Sequence, residues 1–340
     1  MKILVSIISE HLIPNYHLYQ HFKNEIDRNI FISSKKMEKA GYSENLKTLV
    51  SPDIKTDIII LNNGNDFESI SNDLNSSDIF TPDNEYIVNI TGGTKLISLA
   101  VFNHFKTLNS EFYYVAIGTN SCQKFHPKQE QPIRFKHKIS LSEYMRLYGY
   151  YIETDNSLQK DEAQTKRLFN SVKQKNFNSL SVAPVRDAFT DSFALTAPSE
   201  KEYYTGGWFE EYLFITVKQL LNLEDSQIGL NVKVKRNPTR PNNDNEFDIM
   251  FVNNNRLYVI ECKSSIGKKK EHKKNLESFL YKLAAEIKDM GLQVTPMLAV
   301  TAKAEVHPSI RNRAELLNIH LLGAEKLDNN QLFNTYIKLL

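Results

Sequence analysis

The stretch Phe247–Ser265, FDIMFVNNNRLYVIECKSS, reads as two apolar strands joined by a polar turn, with Asp248 set into the first and Glu261 and Lys263 into the second. Ionised side chains on core strands are costly to desolvate unless they pair with each other or with a metal. Residues two apart on a strand share a face, so Glu261 and Lys263 point together while Cys262 points away. For Asp248 to join that face as a regular hairpin partner, paired residue numbers must sum to an odd value. Pairing Asp248 with Glu261 leaves Asn253 to Arg256 as a four-residue connection. Two carboxylates and a lysine suit phosphodiester hydrolysis. Hard oxygen ligands hold Mg²⁺ or Mn²⁺, the metal polarises the phosphoryl oxygen and activates water, and the lysine stabilises charge or orients that water. Asp248 and Glu261 are the expected metal ligands, with the backbone carbonyl of Cys262 as a further donor. A third carboxylate is expected from Glu210 or Glu211, on the helix that follows Gly206 and Gly207. Tyr281 and Lys282 fall on the helix after the lysine, where they could meet a substrate backbone. The competing account of Asp248, Glu261 and Lys263 is a surface ion-pair set on an amphipathic hairpin.

Around this stretch the chain divides by pattern. From residue 1 to about 118 the runs KILVSII, NIFIS, DIIILN, EYIVNIT and EFYYVAI alternate with amphipathic segments, which implies a mostly parallel, Rossmann-like sheet with helices on its faces. Residues 121–138 read as two short strands around a proline turn at the sheet edge. Residues 139–199 shift toward Ser, Asn, Gln and Lys without a strong strand and read as a helical connector. Residues 200–340 begin with a helix striped by Trp208, Tyr212, Leu213, Thr216 and Leu220, followed by strands, a helix near 275–290, the strand QVTPMLAVT and a final helix and strand. The expected fold is α/β throughout, with a first domain at 1–138, a connector at 139–199 and a second α/β domain at 200–340.

In the first domain, NITGGTK places Thr91, Gly92, Gly93, Thr94 and Lys95 between a strand and a helix. Glycines let backbone approach a ligand, and helix N-terminal amides attract anions. The spacing matches neither a nucleotide-triphosphate loop nor a dinucleotide fingerprint. A phosphate-binding turn and a plain βα connection therefore stay equally open. Ser9, ending the first strand, is placed to reach the same ligand, because ligands gather at the carboxyl ends of parallel strands. His11 and His17 lack a spacing partner for metal and are expected at the surface.

The composition narrows the class. With 41% hydrophobic and 24% charged residues over 340 positions, the chain can bury a sizeable core in two domains. The opening MKILVSIISE is too short in its apolar run for a secretory signal, and no run approaches the roughly 20 apolar residues that cross a bilayer. No membrane association is expected. Two cysteines, Cys122 and Cys262, give neither a disulfide framework nor a zinc site, so a reducing cytoplasm fits. Between Lys233 and Lys274 eleven Lys/Arg face five Asp/Glu, an excess of six around the Asp248 to Lys263 motif. Lys268, Lys269, Lys270, Lys273 and Lys274 are candidates for nucleic-acid phosphates, against the plainer account of a solvated basic loop.

Taken together, GGWFEEY (206–212), EFDIMF (246–251), LYVIECK (257–263) and LYKLAAEIKDMGL (280–292) resemble the PD-(D/E)xK nuclease domain of the CRISPR ancillary nucleases. NITGGTK (89–95) resembles the CARF sensor domain that precedes it there, and the likeness spans nearly the whole chain in the same order. The resemblance implies a homodimeric, cytoplasmic enzyme of type III CRISPR defence. Its CARF pair would bind a cyclic oligoadenylate, with cyclic tetra-adenylate the expected ring, and activate a Mn²⁺- or Mg²⁺-dependent nuclease on single-stranded DNA and RNA, with nicking of duplex DNA as an extension. By motif position it implies Asp248 and Glu261 as metal ligands, Lys263 as catalytic lysine, and Glu210 as the helix carboxylate. Thr91, Gly92, Gly93, Thr94 and Lys95, with Ser9, would hold the ligand. Lys268, Lys269, Lys270 and Lys282 are the nucleic-acid contacts. The family's usual Pro-Asp dipeptide is Phe247-Asp248 here, which removes no chemistry. Two other functions compete: an ungated restriction or junction-type endonuclease, and a non-catalytic nucleotide sensor whose carboxylates are structural.

Overall fold

In the computed structural model, β1 (Lys2–Ile7) is buried along nearly its whole length, as an apolar run at the centre of a parallel sheet should be. The structure describes residues 1–174, 202–236, 245–264, 271–301 and 308–323, together with 239, 326, 327 and 337. After β1 come α1 (Ile13–Phe22), β2 (Arg28–Ser34), α2 (Lys35–Lys39), α3 (Tyr42–Lys47), β3 (Lys55–Leu61), α4 (Phe67–Asn75), β4 (Glu85–Asn89), α5 (Lys95–Phe105) and β5 (Ser110–Tyr114). The five apolar runs become these five strands, all parallel. β6 (Ser121–His126) and β7 (Ile133–Arg134) add antiparallel at the edge, in the order β3-β2-β1-β4-β5-β6-β7. The chain winds from β1 outward through β2 to β3, then from β4 outward the other way. The topological switch therefore lies between β1 and β4, where Ser6 pairs with Asn89. Ile3, Val5, Ile7, Ile30, Ile32, Tyr86 and Val88 share one core face with Ile70 and Leu74 of α4 and Ile97, Val101 and Phe105 of α5.

The connector expected at 139–199 is not one piece. The molecule separates into compact units at Met1–Tyr150 and Tyr151–Leu340. α6 (Leu141–Leu147) belongs to the first unit, its Leu141, Tyr144, Met145 and Leu147 buried. β8 (Tyr151–Glu153) joins the second sheet through β9, and α7 (Glu162–Gln174) packs Leu168 and Phe169 into the second core. The composition is polar because the helices α6 and α7 each bury only one face and β8 is a short strand with no fully buried residue. The histidines are a second correction. His17 is only 1% exposed and stacks flat on Phe135 at 4.6 Å, and His11 is half-buried with Nδ1 3.2 Å from the Tyr148 hydroxyl.

The second unit continues with α8 (Trp208–Leu221), entered through a wide helical turn at Tyr203–Gly207, then β9 (Ile228–Lys235), β10 (Asn245–Asn253), β11 (Arg256–Lys263), α9 (His272–Glu286), β12 (Val294–Val300), α10 (Pro308–Leu316) and β13 (His320–Leu322). The sheet runs β13-β12-β11-β10-β9-β8. One face packs Ile249, Phe251, Ile260 and Cys262 against Trp208, Phe209, Leu213 and Val217 of α8, each such side chain contributing about 1.5–3 kcal/mol by burial. Leu276, Leu280 and Leu283 of α9 are buried at helical spacing.

The β10–β11 register pairs Ile249 with Ile260 and Asn253 with Arg256, so the paired numbers have the odd sum needed to set Asp248 across from Glu261. The connection is tighter than the four residues expected. Pairing extends through Asn253 and Arg256, leaving Asn254 and Asn255, with φ of 48° and 65°, as the turn. Asparagine tolerates this left-handed backbone, and two such residues match the twist of a two-residue hairpin.

Candidate functional site

Beyond the Ile249–Ile260 pair the Asp248 side chain turns toward the neighbouring strand, and its Oδ2 accepts a hydrogen bond from the Cys262 amide at 2.6 Å. Lys263 Nζ lies 2.7 Å from Glu261 Oε1 and 3.6 Å from Asp248 Oδ2, and donates to the Cys262 carbonyl at 2.9 Å. The two carboxylates and the backbone carbonyl expected to hold a metal thus converge on one ammonium. Cys262 itself is buried on the opposite face, among the residues packed on α8. Burial pushes the Asp248 carboxyl up, and the Glu261 charge adds to it. Burial works against the Lys263 ammonium, but Asp248 and Glu261 outweigh it and keep it charged.

The two glutamates of α8 separate cleanly. Glu211 is 3% exposed and accepts hydrogen bonds from the Gln159 amide at 2.6 Å and the Thr165 hydroxyl at 3.4 Å, tying the start of α7 to α8. The Glu210 carboxyl is pushed up to about 8 by burial and then by the nearby Asp248 charge. It lines a cavity of about 510 Å³ with Thr205, Gly206, Gly207, Asn231 and Glu246. Among the described residues no three His, Cys, Asp or Glu side chains converge as a metal cage. The converging donors are two carboxylates and one carbonyl, an all-oxygen set that fits Mg²⁺ or Mn²⁺ rather than a softer ion. Burial, and then the neighbouring Glu261 charge, raise the Asp248 carboxyl, a cost that a divalent cation would relieve.

α9 brings more to this centre than its sequence announced. Lys282 Nζ stands 3.9 Å from Glu261 Oε1 and 3.8 Å from Glu286 Oε1, and the Phe279 ring lies 5.6 Å from Lys263 Nζ. Glu286 was missed although its spacing of four from Lys282 on a helix is a pairing signal. Tyr281 is exposed, with the Arg313 guanidinium 5.2 Å from its ring. Lys273 and Lys274 are exposed at the start of α9, whereas Lys268, Lys269 and Lys270 lie outside the described residues.

In the first unit the 91–95 turn caps the switch point between β1 and β4. Thr94 is the N-cap of α5, its hydroxyl accepting from the Ile97 amide at 3.3 Å, and Lys95 is the first, exposed residue of that helix. The Thr91 hydroxyl accepts from the Val115 amide at 2.9 Å. A Cβ on Gly92 would sit 2.3 Å from the Ile7 carbonyl oxygen, and Gly93, at φ 79°, would meet the Ile7 side chain at 2.6 Å. Both glycines are therefore required by packing against β1 whether or not a ligand binds. Ser9 comes to the same place, its Oγ 3.1 Å from where a Gly92 Cβ would lie and engaged with the His11 backbone. The exposed groups left for a ligand are Lys95, the Thr94 backbone and the α5 N-terminus, an arrangement suited to an anion.

The family models described as Card1 CARF domain and as Card1-like, endonuclease domain match residues 3–144 and 199–334, respectively. No curated relative matches the sequence. Among solved structures, the chain is similar to protein VC1899 from Vibrio cholerae, at 18% identity over 99% of this chain and 97% of that one, with a TM-score of 0.79. It is similar to Can2 from Sulfobacillus thermosulfidooxidans, solved in complex with cyclic tetra-adenylate, at 18% identity over 99% of both chains and a TM-score of 0.73. A type III CRISPR defence DNA nuclease activated by cyclic oligoadenylate aligns at 12% identity over 88% of this chain and 45% of that one, with a TM-score of 0.59. At these identities the structural likeness is one of fold. Among the described residues, no helix is long and apolar enough to cross a membrane.

Proposed function

Since the chain belongs to the CARF–nuclease fusions, with a Card1 CARF domain at 3–144 and a Card1-like endonuclease domain at 199–334, we propose that it is a cyclic-oligoadenylate-activated, metal-dependent endonuclease of type III CRISPR defence. Cyclic tetra-adenylate is the proposed activator, held by Lys95, Thr94 and the α5 N-terminus with Ser9, Thr91, Gly92 and Gly93 shaping the turn. A two-fold dimer would offer two copies of this turn to one symmetric ring. Single-stranded DNA and RNA are the proposed substrates, with duplex nicking as an extension. Support for the activator comes from the position of the turn at the switch point and from Can2, which was solved with that ligand.

The observation that carries the nuclease reading is the convergence of Asp248, Glu261 and the Cys262 carbonyl on a single cationic point. In the proposed site these three oxygens would hold Mn²⁺ or Mg²⁺, which would supply polarisation of the scissile phosphoryl group and acidification of water. Glu210 would accept a proton from, or orient, the attacking water from the α8 side. Lys263 shifts from its resting partners to the developing negative charge on phosphate, and Lys282 neutralises the substrate strand beside Glu261. The plain ion-pair account leaves unexplained why a backbone carbonyl joins the two carboxylates around the ammonium.

The test is cleavage of labelled single-stranded DNA and RNA with Mn²⁺, with and without cyclic tetra-adenylate or cyclic hexa-adenylate. Cutting that depends on both ligand and metal is expected, and Asp248→Asn or Glu261→Ala should lower it at least a hundredfold while activator binding persists. Full activity in either variant would sink the assignment, and full activity without any ring would favour the ungated endonuclease.

A further inference from the structure

Two buried asparagines lie beneath the 91–95 turn, and neither the motif nor the family match assigns them a role. Asn15 on α1 is 1% exposed and donates through Nδ2 to the Ile7 carbonyl at 2.9 Å. That carbonyl is the atom against which Gly92 packs so closely that no Cβ fits. Asn89, the last residue of β4, is 0% exposed and accepts the Thr91 amide on Oδ1 at 3.0 Å. Thr91 in turn holds Val115 through its hydroxyl, and the Gly92 carbonyl accepts from the Ser98 hydroxyl at 3.1 Å. The turn is thus fixed at both ends of its glycine pair. Asn15 sets the floor under Gly92, and Asn89 sets the direction in which the chain leaves β4.

The other half of each carboxamide is what separates this arrangement from ordinary core packing. Among the described residues, Asn15 Oδ1 and Asn89 Nδ2 are buried with no hydrogen-bond partner. An apolar residue at either position would relieve the unmet half but would leave the Ile7 carbonyl or the Thr91 amide without this bond. What the bonded halves supply is local, because both are bonded at the turn. Ser33 on β2 is a useful contrast: it is equally buried, its hydroxyl is likewise without a partner, and so it makes no hydrogen bond to the turn.

We infer that Asn15 and Asn89 are positioning residues of the anion site, holding the backbone amides at Gly92 to Lys95 in the geometry that receives a phosphate of the cyclic ligand. The inference rests on the sensor reading of the turn. Neither residue touches the ligand. They act through the Ile7 carbonyl and the Thr91 amide, which fix the turn before the ligand arrives and so remove an ordering cost from binding.

The experiment uses the full chain and titrates cyclic tetra-adenylate calorimetrically into the parent, Asn15→Leu, Asn89→Leu, Asn89→Asp and Ser33→Ala. Hydrogen exchange of the peptide spanning residues 90–96 is followed in the ligand-free proteins, and Tm is recorded for each. The parent binds, and both leucine variants, shown by Tm to be folded at the titration temperature, bind at least tenfold more weakly. Asn89→Leu exchanges the Thr91 amide faster. Asn89→Asp, which keeps the acceptor, retains slow exchange and loses affinity chiefly at low salt, where its charge meets the anion. Ser33→Ala binds like the parent. Should a leucine variant not fold, Asn89→Ser and Asn15→Ala carry the same comparison. Parent-like affinity and exchange in the asparagine variants overturn the inference and leave the sensor reading intact. A parent that does not bind the ring removes the sensor reading, and the inference with it.

Discussion

The Lys263 ammonium is shared by Glu261, Asp248 and the Cys262 carbonyl, the three oxygens proposed to hold the metal. Two cations cannot share one oxygen cage without repulsion, so on that proposal loading the metal would require the lysine to move. Lys263→Met should therefore bind Mn²⁺ several-fold more tightly than the parent by calorimetry, yet cut at least a hundredfold more slowly. Weaker Mn²⁺ binding in the methionine variant would show that the lysine helps to assemble the site instead of competing for it. The two helix glutamates give a second contrast. Glu211→Gln weakens the hold on the Gln159 amide and should cost on the order of 1–3 kcal/mol, read as a lowered Tm with cutting intact. Glu210→Gln should leave Tm near the parent's at neutral pH, since a carboxyl raised to about 8 is already largely uncharged there, and should slow cutting. The strand residues were legible because a period of two fixes their faces from spacing alone. The choice between Glu210 and Glu211 was not, because neighbours on a helix diverge by only about 100° and the deciding partner, the 157–160 segment, approaches from a distance in sequence that spacing does not encode.

At the scale of single elements, α6 shows how a polar stretch can be firmly structural. Ser140 and Glu143 form a capping box at its start, and Glu143 also accepts from the Tyr16 hydroxyl and lies 3.1 Å from His137 Nε2. Burial works to raise the Glu143 carboxyl, but the bonds from His137, Tyr16 and the Ser140 backbone overcome it and hold it down at about 2. A carboxyl depressed in the folded state contributes stability that is complete above its unfolded pKa and is lost as pH falls toward the folded one. The first unit should thus lose on the order of 3 kcal/mol between about pH 5 and pH 2 through this group. Thermal scans over that range should show a shallower fall for Glu143→Gln, which begins less stable at neutral pH. Parallel curves would mean that Glu143 does not carry the acid sensitivity. The same elements mark where sequence reading stopped. Apolar runs mark β1, β2 and β4 directly, since strands buried on both faces are nearly continuous in hydrophobicity, and the run DIIILN marks β3 although it lies half-exposed at the sheet edge. α6 and α7 each hide one face and β8 has no fully buried residue, so the stretch reads as a connector. His17 read as surface because nothing local signals that Phe135 will cover it.

At the scale of the whole chain, the 91–95 turn and the carboxylate centre sit on separate sheets in separate compact units, so the proposed sensing and cutting should separate by mutation. Gly93→Val cannot make that separation. The valine would strain a φ of 79° and strike Ile7, so a loss of ligand binding would report a damaged turn as readily as a missing contact. Lys95→Ala can, because the side chain is exposed at the first residue of α5 and its removal takes away charge without disturbing the Thr94 cap. A ligand shifts an off–on equilibrium only through its differential affinity for the two states, so a change that weakens binding to both equally moves the concentration at which cutting begins and leaves the rate at saturation untouched. For Lys95→Ala the activator concentration at half-maximal cutting should rise tenfold or more while the plateau matches the parent. Asp248→Asn should do the reverse, with normal activator affinity and no plateau. The steeper the salt dependence lost in Lys95→Ala, the more of the missing affinity was charge. If Lys95→Ala binds the ring like the parent, or cuts equally with and without it, the 91–95 segment is a plain βα connection and control of the nuclease must be sought elsewhere in the chain.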